Sequence, residues 1–177
     1  PDHIFVSVGD GVIISGIYKG FRDLLKLGNI DRIPIIHAVQ AFGSAAISSA
    51  MNSGKFDIIS AKTVADSISV DVPSNGYLAK KNLENFGGQC ILVTDEEILF
   101  AQKELSSSCG LFSEPASAAA YAGLIKQKKF IDPSETCVVL LTGNGLKDIN
   151  TASKKIIIPK KTINSLEGLK NIIEKEN

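Results

Sequence analysis

Short apolar runs recur along the chain as "HIFVSV", "IPIIHAVQA", "QCILVT" and "TCVVLL", separated by segments with apolar residues at helical spacing. This alternation constrains the fold more than any other feature. A run of four to nine apolar residues suits a strand buried on both faces, and such strands need helices to cover them. The first intervening segment, from about Ile14 to Leu27, carries Ile14, Ile17, Phe21, Leu24 and Leu25, and stops at Gly28 and Asn29. "GSAAISSAMNSG" and "NGYLAKKNLENFGG" read as further helices closed by glycine. "TDEEILFAQKELSSSCG" opens with a capping box, Thr94 and Glu97. "EPASAAAYAGLIKQKK" is an alanine-rich helix with Pro115 at its start. "KTVADSISVDVP", Lys62 to Pro73, reads as a short helix and a loop. The pattern predicts an α/β fold: an open, mostly parallel sheet with helices on both faces and ligands at the carboxyl ends of the strands. The tail "INSLEGLKNIIEKEN" places Leu166, Leu169, Ile172 and Ile173 on one face, which predicts a docked amphipathic helix.

At 177 residues the chain fits one domain with a substantial core. Nineteen basic and nineteen acidic residues cancel. That balance argues against nucleic acid or an anionic membrane as a partner held by bulk charge. No apolar run approaches the roughly 18 residues of a membrane span. The beginning, "PDHIFVSV", has no basic leader and enters a strand at once, so it reads as the middle of a longer protein. Cys90, Cys109 and Cys137 are widely spaced and read as free thiols of a reducing cytosol, with Cys137 a core residue. Neither His3 nor His37 has cysteine or carboxylate partners at ligand spacing, so no metal is expected.

Two of the apolar runs end in glycine-rich turns. In "VSVGDGVIISG", Gly9, Gly11 and Gly16 lie where a strand passes into a helix. Such a turn is either a tight connection or a cup in which backbone amides converge on an anion. It lacks the lysine and serine of a P-loop and the spacing of a dinucleotide fingerprint. A dehydrogenase-like nucleotide domain also calls for an acid at the end of the second strand, where Gln40 stands. The second turn, "LLTGNGLKD", sets Thr142 between an apolar strand and two glycines. If both turns line one crevice, the first can cradle a phosphate and the second can bring a neutral hydroxyl to a flat ring.

"VSVGDGVIISGIYKGF", "TDEEILFAQKEL", "GLFSEPASAAAYAGL" and "LLTGNGLKD", in this order from about Asp2 to Asp148, resemble the C-terminal half of threonine synthase and its relatives. These are pyridoxal-phosphate enzymes of the tryptophan-synthase-β-like fold. The resemblance implies that Gly9, Asp10, Gly11, Val12 and Ile13 wrap the phosphate of pyridoxal 5'-phosphate, and that Thr142 faces the pyridine nitrogen. The family pattern, often G-N-x-G-N, is only partly kept. Val12 replaces a usual glycine and Ile13 an asparagine, which predicts strain if the backbone copies a positive φ. Asp10 brings a carboxylate toward a dianion unless it points away or pairs elsewhere. Ser15 and the helix start remain as donors. Glu114 aligns near the crevice, and as a first-turn acid it equally suits a helix N-terminus.

The resemblance further implies a cofactor domain over 1–160 and a C-terminal amphipathic helix over 161–177. The implied enzyme is a cytoplasmic homo-oligomeric lyase that converts O-phosphohomoserine to threonine and phosphate. The Schiff-base lysine lies in an "SFKDR"-type motif of the N-terminal half, so this chain holds no catalytic residue and is expected to be inactive alone. Lys147 in "GLKD" is not that lysine. Two alternatives stand beside this reading: a non-catalytic binding or regulatory module of the same fold, and a related cysteate synthase or threonine/serine dehydratase.

Overall fold

A computed structural model describes residues 1–58, 60–153 and 163–173 of the chain. Strands β1 (His3–Ser7), β2 (Ile35–Ala41), β3 (Cys90–Val93) and β4 (Cys137–Leu140) form one sheet in the order β3-β2-β1-β4. Every pairing is parallel, with Val6 opposite both Ala38 and Leu140. Helices α1 (Val12–Lys26), α2 (Ala46–Ser53) and α3 (Gly76–Asn85) precede β3, and α4 (Asp95–Cys109) and α5 (Pro115–Gln127) follow it.

Side-chain alternation along the strands divides the core in two. Ile4, Val6, Ile36 and Ala38 meet Ile14, Tyr18, Ile47, Ala79 and Leu83 of α1, α2 and α3. Phe5, Val39 and Ala41 face the other way, toward Ile98, Ala101 and Leu105 of α4 and the alanines of α5. Helices therefore cover both faces of an open parallel sheet, as the alternating pattern predicts. Helix α5 is buried over most of its circumference because its residues are small. A side chain at Gly123 would come within 2.4 Å of Val39, so glycine there lets the helix lie directly on the sheet.

The chain's local signals match the element ends. Thr94 Oγ1 accepts from the Glu97 amide while the Glu97 carboxylate accepts from the Thr94 amide, closing the capping box. Thr94→Ala is expected to lower stability by about 1 kcal/mol in urea denaturation. Gly54 ends α2 and Gly110 ends α4, both with positive φ. Lys62 to Pro73 is mostly irregular: its one helical piece is a single 3-10 turn, Asp66–Ile68, so the short helix expected there shrinks to that turn. Its backbone is held by side chains instead, with Ser44 Oγ donating to Ile68 O and the Asp95 carboxylate accepting from Val64 N.

Beyond β4 come α6 (Ile149–Ser153) and α7 (Leu166–Ile173). Helix α7 lies within the segment expected to be an amphipathic helix over 161–177, and the docking expected of that helix is not seen at the residues whose side chains are described. Leu166 and Leu169 stand exposed, and the expected domain boundary at residue 160 lies outside the described residues. Cys137, expected in the core, is only half-buried, on a strand that stands at the edge of the sheet among the described residues. The Cys90 thiol is more enclosed, and burial pushes its pKa up to about 12.

Candidate functional site

The strand order creates the site. From β1 the chain moves to β2 on one side and, much later, to β4 on the other, so the sheet's topological switch point lies between β1 and β4. In open α/β sheets the loops that leave the strands at such a point diverge and open a crevice. Here those loops are the two glycine turns. Gly9, Asp10, Gly11, Val12 and Ile13 from the first and Thr142 from the second line one cavity of about 310 Å³.

The first turn leaves the start of a helix open toward this cavity. Gly11 is the N-cap of α1, with φ of 82°, and no side chain caps the helix. The amides that open α1 therefore have no side-chain acceptor, no acid sits in the first turn, and the positive end of a 15-residue helix meets the cavity. Val12 and Ile13 are the first two helical residues and are exposed. The strain expected of them does not arise. Glycines alone carry positive φ among the described residues, and Gly11 absorbs the turn one position earlier.

Asp10 is turned away from the cup. Its carboxylate accepts from the Ser74 amide at 2.9 Å, and its carbonyl accepts from the Asn75 amide at 3.0 Å. Asn75 Nδ2 donates to the Gly11 carbonyl at 3.2 Å, so the start of α3 braces the whole turn. The repulsion that an acid in this motif threatens is removed by a partner 64 residues downstream. Ser15 lies one turn into α1, behind the cavity rather than on its lining, with a buried hydroxyl that has no partner.

At the opposite wall, Thr142 is exposed to the crevice, and beside it is an acid. Glu114 is the N-cap of α5 but makes no side-chain cap bond. Its carboxylate is buried in the cavity wall, where it accepts from Ser67 Oγ at 3.4 Å and from Lys147 Nζ at 3.3 Å. Of the two roles open to Glu114 in the sequence, the structure places the side chain at the crevice. Ser67 and Lys147 were not legible as site residues. They arrive through the 3-10 turns Asp66–Ile68 and Gly145–Asp148, and no short motif encodes where such turns point. A second cavity, of about 460 Å³, adjoins the first and shares Ser67, Glu114, Ala116 and Lys147 with it.

The two histidines are elsewhere, away from the glycine turns. His3 Nδ1 and His37 Nε2 are 3.0 Å apart, and His3 Nε2 lies 3.2 Å from a Glu135 carboxylate oxygen. His3 opens β1, at the sheet end opposite the cavity.

Uncapped helical amides, an acid turned outward and a facing hydroxyl fit a phosphorylated aromatic ring. Residues 1–143 match the family described as pyridoxal-phosphate dependent enzyme. The chain belongs to that family. Among curated proteins, it is 38% identical to threonine synthase of Methanocaldococcus jannaschii over 98% of this chain and 44% of that protein. It is 42% identical to threonine synthase of Methanosarcina acetivorans over 85% of this chain and 38% of that protein. The chain thus spans less than half the length of these relatives, and it corresponds to their C-terminal part.

Solved structures agree on the fold. A fungal L-serine ammonia-lyase from Rhizomucor miehei superposes with a TM-score of 0.71 at 22% identity, covering 89% of this chain and 50% of that one. Threonine deaminase isoform 2 from Solanum lycopersicum gives 0.68 at 20% identity, covering 98% and 41%.

Proposed function

We propose that this chain is the cofactor-holding C-terminal part of a threonine-synthase-like lyase that acts on O-phosphohomoserine. The observation that carries the reading is the single cavity shared by the Gly9–Ile13 turn and Thr142. The curated threonine synthases at 38% and 42% identity favour this substrate over those of the more distant lyases.

When bound, pyridoxal phosphate supplies an electron sink for charge that develops on an amino-acid carbon. This chain's residues hold and orient it. The amides from Gly9 to Ile13, at the positive end of α1, would hold the phosphate. Asp10 stays out of the way because Ser74 and Asn75 hold it. The Thr142 hydroxyl, on the same cavity, would offer the ring nitrogen a neutral partner, whereas a carboxylate in its place would stabilise the protonated ring. Proton transfer at the reacting carbon falls to a lysine outside this chain, since Lys147 is engaged with Glu114 beside Thr142.

Titration of the full chain with pyridoxal phosphate, followed by absorbance, tests the reading with unphosphorylated pyridoxal as the control. Saturable binding that depends on the phosphate is expected, with no phosphate released from O-phosphohomoserine. Equal binding of both compounds would remove the phosphate cup, and turnover by the chain alone would remove the division of labour.

A further inference from the structure

Glu114 presents an electrostatic problem for any anionic ligand. It places a carboxylate in the wall of a cavity whose other end is built for a phosphate, and the side chain is only 7% exposed. A buried carboxylate has about four acceptor sites to fill, and here two side chains, Ser67 and Lys147, serve it at 3.3–3.4 Å. It is not spent on the helix end that it occupies, because α5 begins without a side-chain cap. The fold has made room for it. A Cβ at Gly143 would come within 1.9 Å of Glu114 Oε1, and the Glu114 amide donates to the Gly143 carbonyl at 3.0 Å. The first glycine of "TGNG" therefore leaves room for an acid, while the Glu114 main-chain amide ties the backbone next to Thr142 to the head of α5.

The cation that faces this acid is Lys147. Its ammonium lies 3.3 Å from each carboxylate oxygen, so it straddles the pair. Its side chain is 60% exposed and reaches inward over the rim shared by the two cavities. Asp66 and Asp148 line the adjoining cavity, so the neighbourhood is otherwise acidic.

We propose that Lys147 and Glu114 are a charge-compensating pair: the Glu114 carboxylate packs against Gly143 beside Thr142, and Lys147 cancels its charge so that the cavity admits an anionic cofactor. This rests on the pyridoxal-phosphate reading above. It makes both residues positioning residues, with no role in proton transfer. Removing only the cation leaves an uncompensated buried carboxylate in the wall of the cavity that a dianion would enter.

The test is a cycle of three variants of the full chain, Lys147→Met, Glu114→Gln and the double variant, read as the dissociation constant for pyridoxal phosphate. Melting temperatures measured alongside confirm that each variant folds. Lys147→Met is expected to weaken binding about tenfold. Glu114→Gln keeps the shape and the acceptor for Ser67, and should bind within threefold of the parent chain. The double variant is expected to recover to within threefold as well, a rescue that loss of packing would not produce. The pair has no such role if Lys147→Met binds like the parent, or if the double variant stays as weak as Lys147→Met. Absence of pyridoxal-phosphate binding by the parent chain would instead defeat the underlying reading, so the two failures are separable.

Discussion

Gly11→Val is expected to lower stability by about 3 kcal/mol and to abolish phosphate-dependent cofactor binding. At φ of 82° an L-residue carries a steric cost of roughly 1–2 kcal/mol, and a β-branched one sits at the upper end. The new Cβ would also lie 2.9 Å from the Ala79 Cβ and 3.1 Å from the Asn75 carbonyl oxygen, which adds an overpacking cost of about 1–3 kcal/mol. Relief of either contact moves α1 away from α3 and breaks the brace through Asn75, so the amides of the cup lose their common aim. Gly16 is the natural control. It lies inside α1 with ordinary φ, and a methyl group added there would meet nothing within 4 Å, so Gly16→Ala should raise stability by roughly 0.5–1 kcal/mol. Paired urea denaturation and cofactor titration of the two variants read both effects. Similar behaviour of the two would show that Gly11 is not the hinge of the cup.

Acid should destabilise the chain through His37. The imidazole is 4% exposed and stacks on Phe5 and His3. Burial, with His3 adding to it, holds its pKa down at about 4 against an ordinary 6.5. Assigned from the bonding pattern, Glu135 accepts from His3 Nε2–H and His3 Nδ1 accepts from His37 Nε2–H. That leaves His37 Nδ1 a buried acceptor without a partner, and a proton placed there would be a buried donor without one. Because the folded pKa is lower, the unfolded chain binds a proton that the native state refuses. The stabilisation is complete above pH 6.5, falls as pH drops toward 4, and levels off below it, a total of about 3 kcal/mol. Denaturant midpoints at about pH 7, 5.5 and 4 would trace this limb, and His37→Phe should flatten it relative to the parent. An unchanged slope in that variant would transfer the acid sensitivity to the carboxylates.

The elements of this fold were readable because they depend on neighbours in the chain. Alternation of apolar runs and helical spacing, the Thr94–Glu97 box, Pro115 at the head of α5 and the glycines that end α2 and α4 are all decided within a few residues. A parallel sheet with helices on both faces follows, since strands buried on both sides leave few other arrangements. The glycines were less uniform than they look in sequence. Of Gly9, Gly11 and Gly16, Gly11 alone has a positive φ, Gly9 is needed because Ile68 and Val70 crowd it, and Gly16 meets nothing.

The resemblance, carried by motifs, pointed to the family that the chain belongs to and to two turns that line one cavity. Only the tertiary structure decided that those turns meet, because adjacency of β1 and β4 is a property of strand order and not of either motif. It also decided which way the acids point. Asp10 is drawn out of the cup by a residue 64 positions away, and Glu114 is turned into the cavity and met by a lysine 33 positions away. A charged side chain goes where a partner and desolvation leave it lowest in free energy, and those partners are assembled only when distant segments pack. Sequence by itself therefore determined the secondary structure and the family, whereas folding determined which turns meet and where the charged side chains around their cavity point.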